Sequence, residues 1–214
     1  MVLNRMIGIG MMVIGLFIAS YHFMAWQMAR SAAEEMTEAE VQQYTQKVKP
    51  VQKDSEEINP VAKVRAEGKP EPQQASKEVQ HELGEKVAWL IIPTIAQKYS
   101  VYWGAQPDIL KKGVGMYVSP FTTTPNGGGH TVLSGHRDTV FYRLKELEEG
   151  DVLKVEYHDD IYTYKIKKIW ITHAEDRSVV VRKSIPTLTL TTCYPFSYIG
   201  NAPKRYIVQA ELVK

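Results

Sequence analysis

The stretch TLTLTTC, Thr187–Cys193, decides how this chain is read. In a strand, successive side chains point to opposite faces, so Leu188 and Leu190 share one face while Thr189, Thr191 and Cys193 share the other. The leucines are expected to face a core. Cys193 then ends the strand on the polar side, whereas a purely structural free cysteine is normally packed among apolar neighbours. It is also the single cysteine of the chain. That arithmetic excludes an intramolecular disulfide and any zinc site needing two or more thiolates.

A loop rich in aromatic and turn residues, YPFSYIGNAPK, leads from Cys193 to a second alternating run. There Tyr206, Val208, Ala210 and Leu212 form an apolar face, and Arg205, Ile207, Gln209 and Glu211 the other. The loop has the length of a long hairpin connection, so the two runs are expected to pair antiparallel and bring Arg205 near the thiol. Lys204 is the local rival, and a solvated edge arginine is the bland alternative. A cysteine nucleophile also needs a proton partner. Of the six histidines, His22 lies in the apolar amino-terminal run, His81 in a polar spacer and His158 in a turn. His130, His136 and His173 each stand at a strand end, and position alone does not choose among them.

Outward from this pair, residues 82–214 read as short strands separated by turn signals. The expected strands are Val87–Ile92, Tyr99–Trp103, Val114–Val118, Thr131–Ser134, Val152–Tyr157, Ile161–Ile171, Leu188–Thr192 and Tyr206–Val213. Short helices fit Pro107–Lys112 and Val140–Leu147. Such a pattern predicts an all-β domain, an antiparallel barrel or sandwich.

The amino-terminal third differs. Met6 to Trp26 is almost wholly apolar, the length of a membrane-spanning helix and longer than the core of a cleaved signal peptide. Residues 1–30 are therefore expected to form a short cytoplasmic tip and a transmembrane anchor. Residues 31–81 are rich in Glu, Lys, Gln and Pro, and read as a polar stalk that cannot bury enough surface to order itself. Its first part, Ala32 to Val48, could form a polar helix. The net charge of +2 comes without a basic run, so a nucleic-acid partner is not expected.

TLTLTTC followed by Arg205 resembles the TLxTC signature and downstream arginine of the sortases, a family of cysteine transpeptidases. VLSGHRDTVFYRLKELEEGD, Val132–Asp151, resembles the family's histidine segment. WLIIPTIA (Trp89–Ala96) and GVGMYVSP (Gly113–Pro120) resemble its first shared blocks, and the Cys193 loop looks most like class D. The resemblance implies an eight-stranded, mostly antiparallel β-barrel, with His136, Cys193 and Arg205 as the catalytic residues. It implies cleavage after Thr in an LPXT[G/A]-type sorting signal and transfer to a cell-wall amine such as lipid II. It also places the catalytic domain outside a Gram-positive cell, with the amino terminus inside. No cofactor and no obligatory metal are expected.

Thiolate is the reactive form of cysteine, and a nearby cation favours it. A histidine can pass protons to the departing and from the arriving amine, and the planar arginine fork suits an oxyanion. The connection Thr172–Pro186 is expected to return close to the thiol. Val180 and Ile185 are its candidate substrate-binding residues, or else its valines cap the barrel. The rival readings are a papain-like or L,D-transpeptidase-like cysteine enzyme and a non-enzymatic surface domain on a stalk. Papain-type enzymes carry the cysteine on a helix before the histidine, the reverse of the order here. L,D-transpeptidases place an arginine two residues past the cysteine, where Pro195 stands.

Overall fold

The computed structural model describes residues 2–30, 33–46, 81–197, 200 and 202–213. The expected loose half of the stalk, with Pro50, Pro60, Pro70 and Pro72, lies outside them. Helix α1 (Val2–Arg30) is continuous. Within it Met6–Met24 has a mean hydropathy of 1.8 and none of its side chains is buried against the rest of the protein. A helix apolar on all sides without protein packed on it suits a lipid environment, and this one suggests a single membrane anchor.

Eight strands form the barrel: β2 (Lys86–Ile92), β3 (Gln97–Trp103), β4 (Val114–Met116), β5 (His130–Ser134), β6 (Val152–Tyr157), β7 (Asp160–His173), β8 (Thr187–Tyr194) and β9 (Lys204–Leu212). Their order is β3-β2-β6-β7-β9-β8-β5-β4, and β4 pairs back to β3 to close the wall. Closure removes the free edges that an open sheet would expose. All pairs are antiparallel except β3–β4 and β5–β8. Leu90, Val101, Leu133, Val155, Leu188, Leu190 and Val208 point inward and are fully buried. The short helices also form, as α3 (Pro107–Leu110) and a 3-10 turn at Tyr142–Glu146.

Two features depart from the sequence reading. The opposite face of β8 is not simply polar surface, because Thr189 is fully buried. Its hydroxyl meets His130, whose other ring nitrogen meets the Val181 carbonyl of the β7–β8 connection. The second departure is in the expected stalk. Ala33–Glu35 forms strand β1, paired antiparallel with the first half of β3 (Ala33↔Tyr99, Glu34↔Lys98, Glu35↔Gln97). The Met36 amide donates to the Ala96 carbonyl at 2.9 Å, and its side chain is buried.

Helix α2 (Glu38–Gln46) then opens with a capping box. The Glu40 carboxylate accepts from the Thr37 amide at 2.9 Å and the Thr37 hydroxyl accepts from the Glu40 amide at 3.4 Å, satisfying two amides that a helix start leaves open. The ammonium of buried Lys154 donates to the Tyr44 carbonyl. Backbone pairing needs few apolar side chains, so composition alone did not reveal this docking. His81, likewise expected in the stalk, packs its ring on Trp103 and sits 2.9 Å from the Tyr157 hydroxyl.

Candidate active site

The site is built on the ends of adjacent strands. Strands β8 and β9 pair in a register that sets Cys193 directly opposite Arg205. Residues so placed have Cβ atoms about 4.5–5.5 Å apart on one face. Strand β5 lies on the other side of β8, parallel to it, with Ser134 level with Thr191. Two residues further along both chains bring His136 level with Cys193. Hydrogen bonds carry this registration past the end of β5. The Gly135 amide donates to the Thr191 carbonyl at 3.2 Å, and the Thr192 hydroxyl donates to the Gly135 carbonyl at 2.7 Å. His136, Cys193 and Arg205 thus form one row across three neighbouring strands, each half-buried. The other two strand-end histidines lie elsewhere: His130 is buried at the far start of β5, and His173 is exposed beyond the row.

Gly135 is required by packing. A Cβ there would stand 2.8 Å from side-chain carbons of both Val140 and Phe141. Those residues fold back because the Phe141 amide donates to the His136 carbonyl at 2.9 Å. The Arg205 guanidinium is steadied from the loop before it, through Nη1 to the carbonyls of Ala202 (3.2 Å) and Lys204 (3.0 Å). Arg137, buried beside His136, donates from Nη2 to the Gly200 carbonyl at 2.8 Å. It ties the histidine turn to the cysteine loop, and the sequence reading missed it. Its only sequence signal was adjacency to His136. Lys204, the rival of Arg205, pairs with Tyr194 and is exposed. Tyr206 stacks with Tyr194 and meets Phe196 edge-on at 5.1 Å, and Tyr206 and Phe196 pack against the core. Among the described residues no group of three or more His, Cys, Asp or Glu is placed to hold a metal ion.

The β7–β8 connection runs differently from expectation. It leaves β7 at His173, beside Lys204, and must travel the length of β8 because Cys193 ends that strand rather than begins it. Ile185 precedes β8 by two residues. It is exposed and roughly 25 Å along the strand from the thiol, at about 3.3 Å per residue. The expectation of Ile185 beside the thiol is therefore corrected. Val180 is half-buried next to buried Val179. The segment is pinned by His130, whose Nδ1 is 2.7 Å from the Val181 carbonyl and whose Nε2 is 2.8 Å from the Thr189 hydroxyl. A carbonyl can only accept, so Nδ1 carries the hydrogen and Nε2 accepts from Thr189. The Thr189 oxygen accepts in turn from the Gln209 amide at 3.2 Å. Burial holds the His130 pKa below its ordinary value, partly offset by the Val181 bond.

A family model described as the sortase domain matches residues 90–213. The chain belongs to the sortase family. It is 44% identical over 133 residues to Sortase D of Bacillus subtilis, a match covering 62% of this chain and 66% of that protein's length. The catalytic domain of B. anthracis SrtD is 60% identical with a TM-score of 0.57, covering 67% of this chain and 97% of that one. Clostridium perfringens sortase C, solved with its C-terminal cell wall sorting motif, is 29% identical with a TM-score of 0.57, covering 67% and 78%. Sortases are cysteine transpeptidases of the cell surface that act on sorting-signal proteins and cell-wall precursors. The closed eight-stranded barrel of this chain is the sortase fold.

Proposed function

We propose that this sortase cleaves an LPXT[G/A]-type signal after Thr and transfers the acyl-protein to a lipid II-type amine. The observation that carries this is the row of His136, Cys193 and Arg205. The Cys193 sulfur attacks the carbonyl carbon of the Thr–Gly or Thr–Ala bond. Its C–N bond breaks as His136 delivers a proton to the departing amine, leaving a thioester. The incoming amine attacks the thioester carbon and loses a proton to His136, and the sulfur departs. Arg205 points its donor fork at the oxygen that carries charge in both tetrahedral states.

The strand geometry also suggests where the signal lies. Thr191 and Thr189 share the Cys193 face of β8, two and four residues back. An extended peptide with its Thr at the sulfur would reach about 10–14 Å along β8 at its Leu. That is the level of Thr189, which His130 links to the carbonyl of Val181, the neighbour of Val180, and not of Ile185. Val180 is accordingly the proposed contact for the signal's Leu-Pro portion. The amino terminus lies inside, the barrel outside, and α1 keeps enzyme and lipid-linked acceptor on one surface.

Mass spectrometry of the purified protein with LPXTG- and LPXTA-type peptides tests this. An acyl adduct on Cys193 that an added amine discharges is the expected result. Peptide turnover without modification of Cys193 refutes the nucleophile assignment.

A further inference from the structure

We infer that the segment Ala33–Gln46 is a docking clamp that holds the catalytic end of the barrel towards the bilayer surface. The lipid-linked acceptor gives this arrangement its purpose, and that part rests on the proposed function. The expected alternative is a barrel on a long loose tether.

Chain length is the first argument. The apolar span ends at Met24. Six helical residues to Arg30 add about 9 Å, and three extended steps to Ala33 add at most about 11 Å. Strand β1 therefore begins within about 20 Å of the hydrocarbon boundary, and it is already paired with barrel strand β3. The chain between Gln46 and His81 is then not the link that separates barrel from membrane. Both its ends lie on the barrel, at Tyr44 beside Lys154 and at His81 beside Tyr157, on the same strand β6.

Direction is the second argument. Cys193 and His136 follow the ends of the parallel strands β8 and β5. Passing the strand directions around the wall, β9 begins at that end, β7 finishes there, and the β2–β3 turn lies there too. Strand β1 pairs with the first residues of β3, immediately after that turn. Side chains link the two places. Tyr99, the partner of Ala33, meets the Phe141 ring edge-on at 5.9 Å, and the Phe141 amide holds the His136 carbonyl. Arg143 donates to the Ile95 carbonyl at 2.6 Å in the same turn. The segment leaving the membrane therefore docks at the catalytic end, not at the β6–β7 hairpin.

Cys193, the single thiol, allows a test independent of activity. A donor fluorophore is placed on Cys193 of the full chain in phosphatidylcholine nanodiscs containing acceptor-labelled phosphatidylethanolamine. A second protein carries the donor on Asp159→Cys in a Cys193→Ala background. Asp159 is exposed in the β6–β7 hairpin. It lies about 40 Å along β7 from the row, or about 30 Å in height after strand tilt. Energy transfer is expected to be at least twofold greater from Cys193. Replacing residues 33–46 with Gly/Ser of equal length leaves about 50 tether residues spanning ~40 Å, and should erase the difference.

Should that variant misfold, Glu34→Pro serves instead. Counting back two residues from the Met36–Ala96 bond, the Glu34 amide is the next to face β3, and the barrel core is untouched. Equal transfer from the two positions, or a difference that survives both variants, overturns the clamp while leaving the chemistry standing. A chain that fails to enter nanodiscs overturns the anchor and the clamp together.

Discussion

At the scale of residues, the row of His136, Cys193 and Arg205 makes distinct demands on each member. Cys193→Ala should abolish cleavage and transfer in a peptide assay, since no other thiol exists to form the thioester. Cys193→Ser should be nearly as inert, because an alcohol is far less ionised than a thiol near neutral pH. Arg205→Lys keeps the charge but loses the planar fork. It should raise the barrier by about 2–4 kcal/mol, read as kcat/KM, by analogy with loss of one oxyanion donor. Near-normal kcat/KM would mean that charge alone suffices. Gly135→Ala forces a Cβ against Val140 and Phe141. Overpacking of this kind costs about 1–3 kcal/mol, so the variant should unfold earlier in urea and turn over more slowly.

At the scale of elements, the β7–β8 connection separates two residues that its sequence placed together. Val180→Asp should raise KM for the sorting peptide while the unfolding midpoint holds. Ile185→Asp should change neither. Equal effects from both would remove the connection from the recognition scheme. His130 anchors this wall and makes its attachment pH-dependent. The folded imidazole stays neutral below the ordinary histidine pKa of about 6.5, because burial lowers its own pKa. The unfolded chain therefore takes up the proton first as pH falls. Stability should be flat above about pH 6.5 and decline below it, until the folded imidazole also protonates. Urea unfolding at pH 7.5 and 5.5 should show this decline in the native protein and a shallower one in His130→Gln.

At the scale of the whole molecule, the barrel and its amino-terminal clamp share stability. Burying a methionine side chain contributes about 1.5–3 kcal/mol, and Met36 is buried against the barrel. A soluble chain beginning at residue 81 should fold but melt several degrees below one beginning at residue 33. At 1 kcal/mol a domain of this size shifts by about 2–8 °C. Equal Tm values for the two lengths would show that the clamp adds no stability in solution. Met36→Asp in the longer chain should reproduce most of the loss.

Strand positions were legible in the sequence because alternation is a local property. Leu188 and Leu190 did face the core, and each expected strand formed within a few residues of its expected bounds. The opposition of Cys193 and Arg205 was also legible, since one loop joins their strands. The family resemblance pointed to His136, but spacing could not choose it from His130 and His173. Its level with Cys193 comes from the parallel contact of β5 with β8. Barrel closure sets that contact between segments separated by two other strands. The same nonlocal path put Ile185 a strand's length from the thiol and tied the connection to buried Thr189 through His130. The docking of Ala33–Glu35 uses backbone amides that every polar sequence possesses, so only the tertiary structure could reveal it. Side-chain patterns specify which face is buried; which strands become neighbours depends on how the whole wall closes.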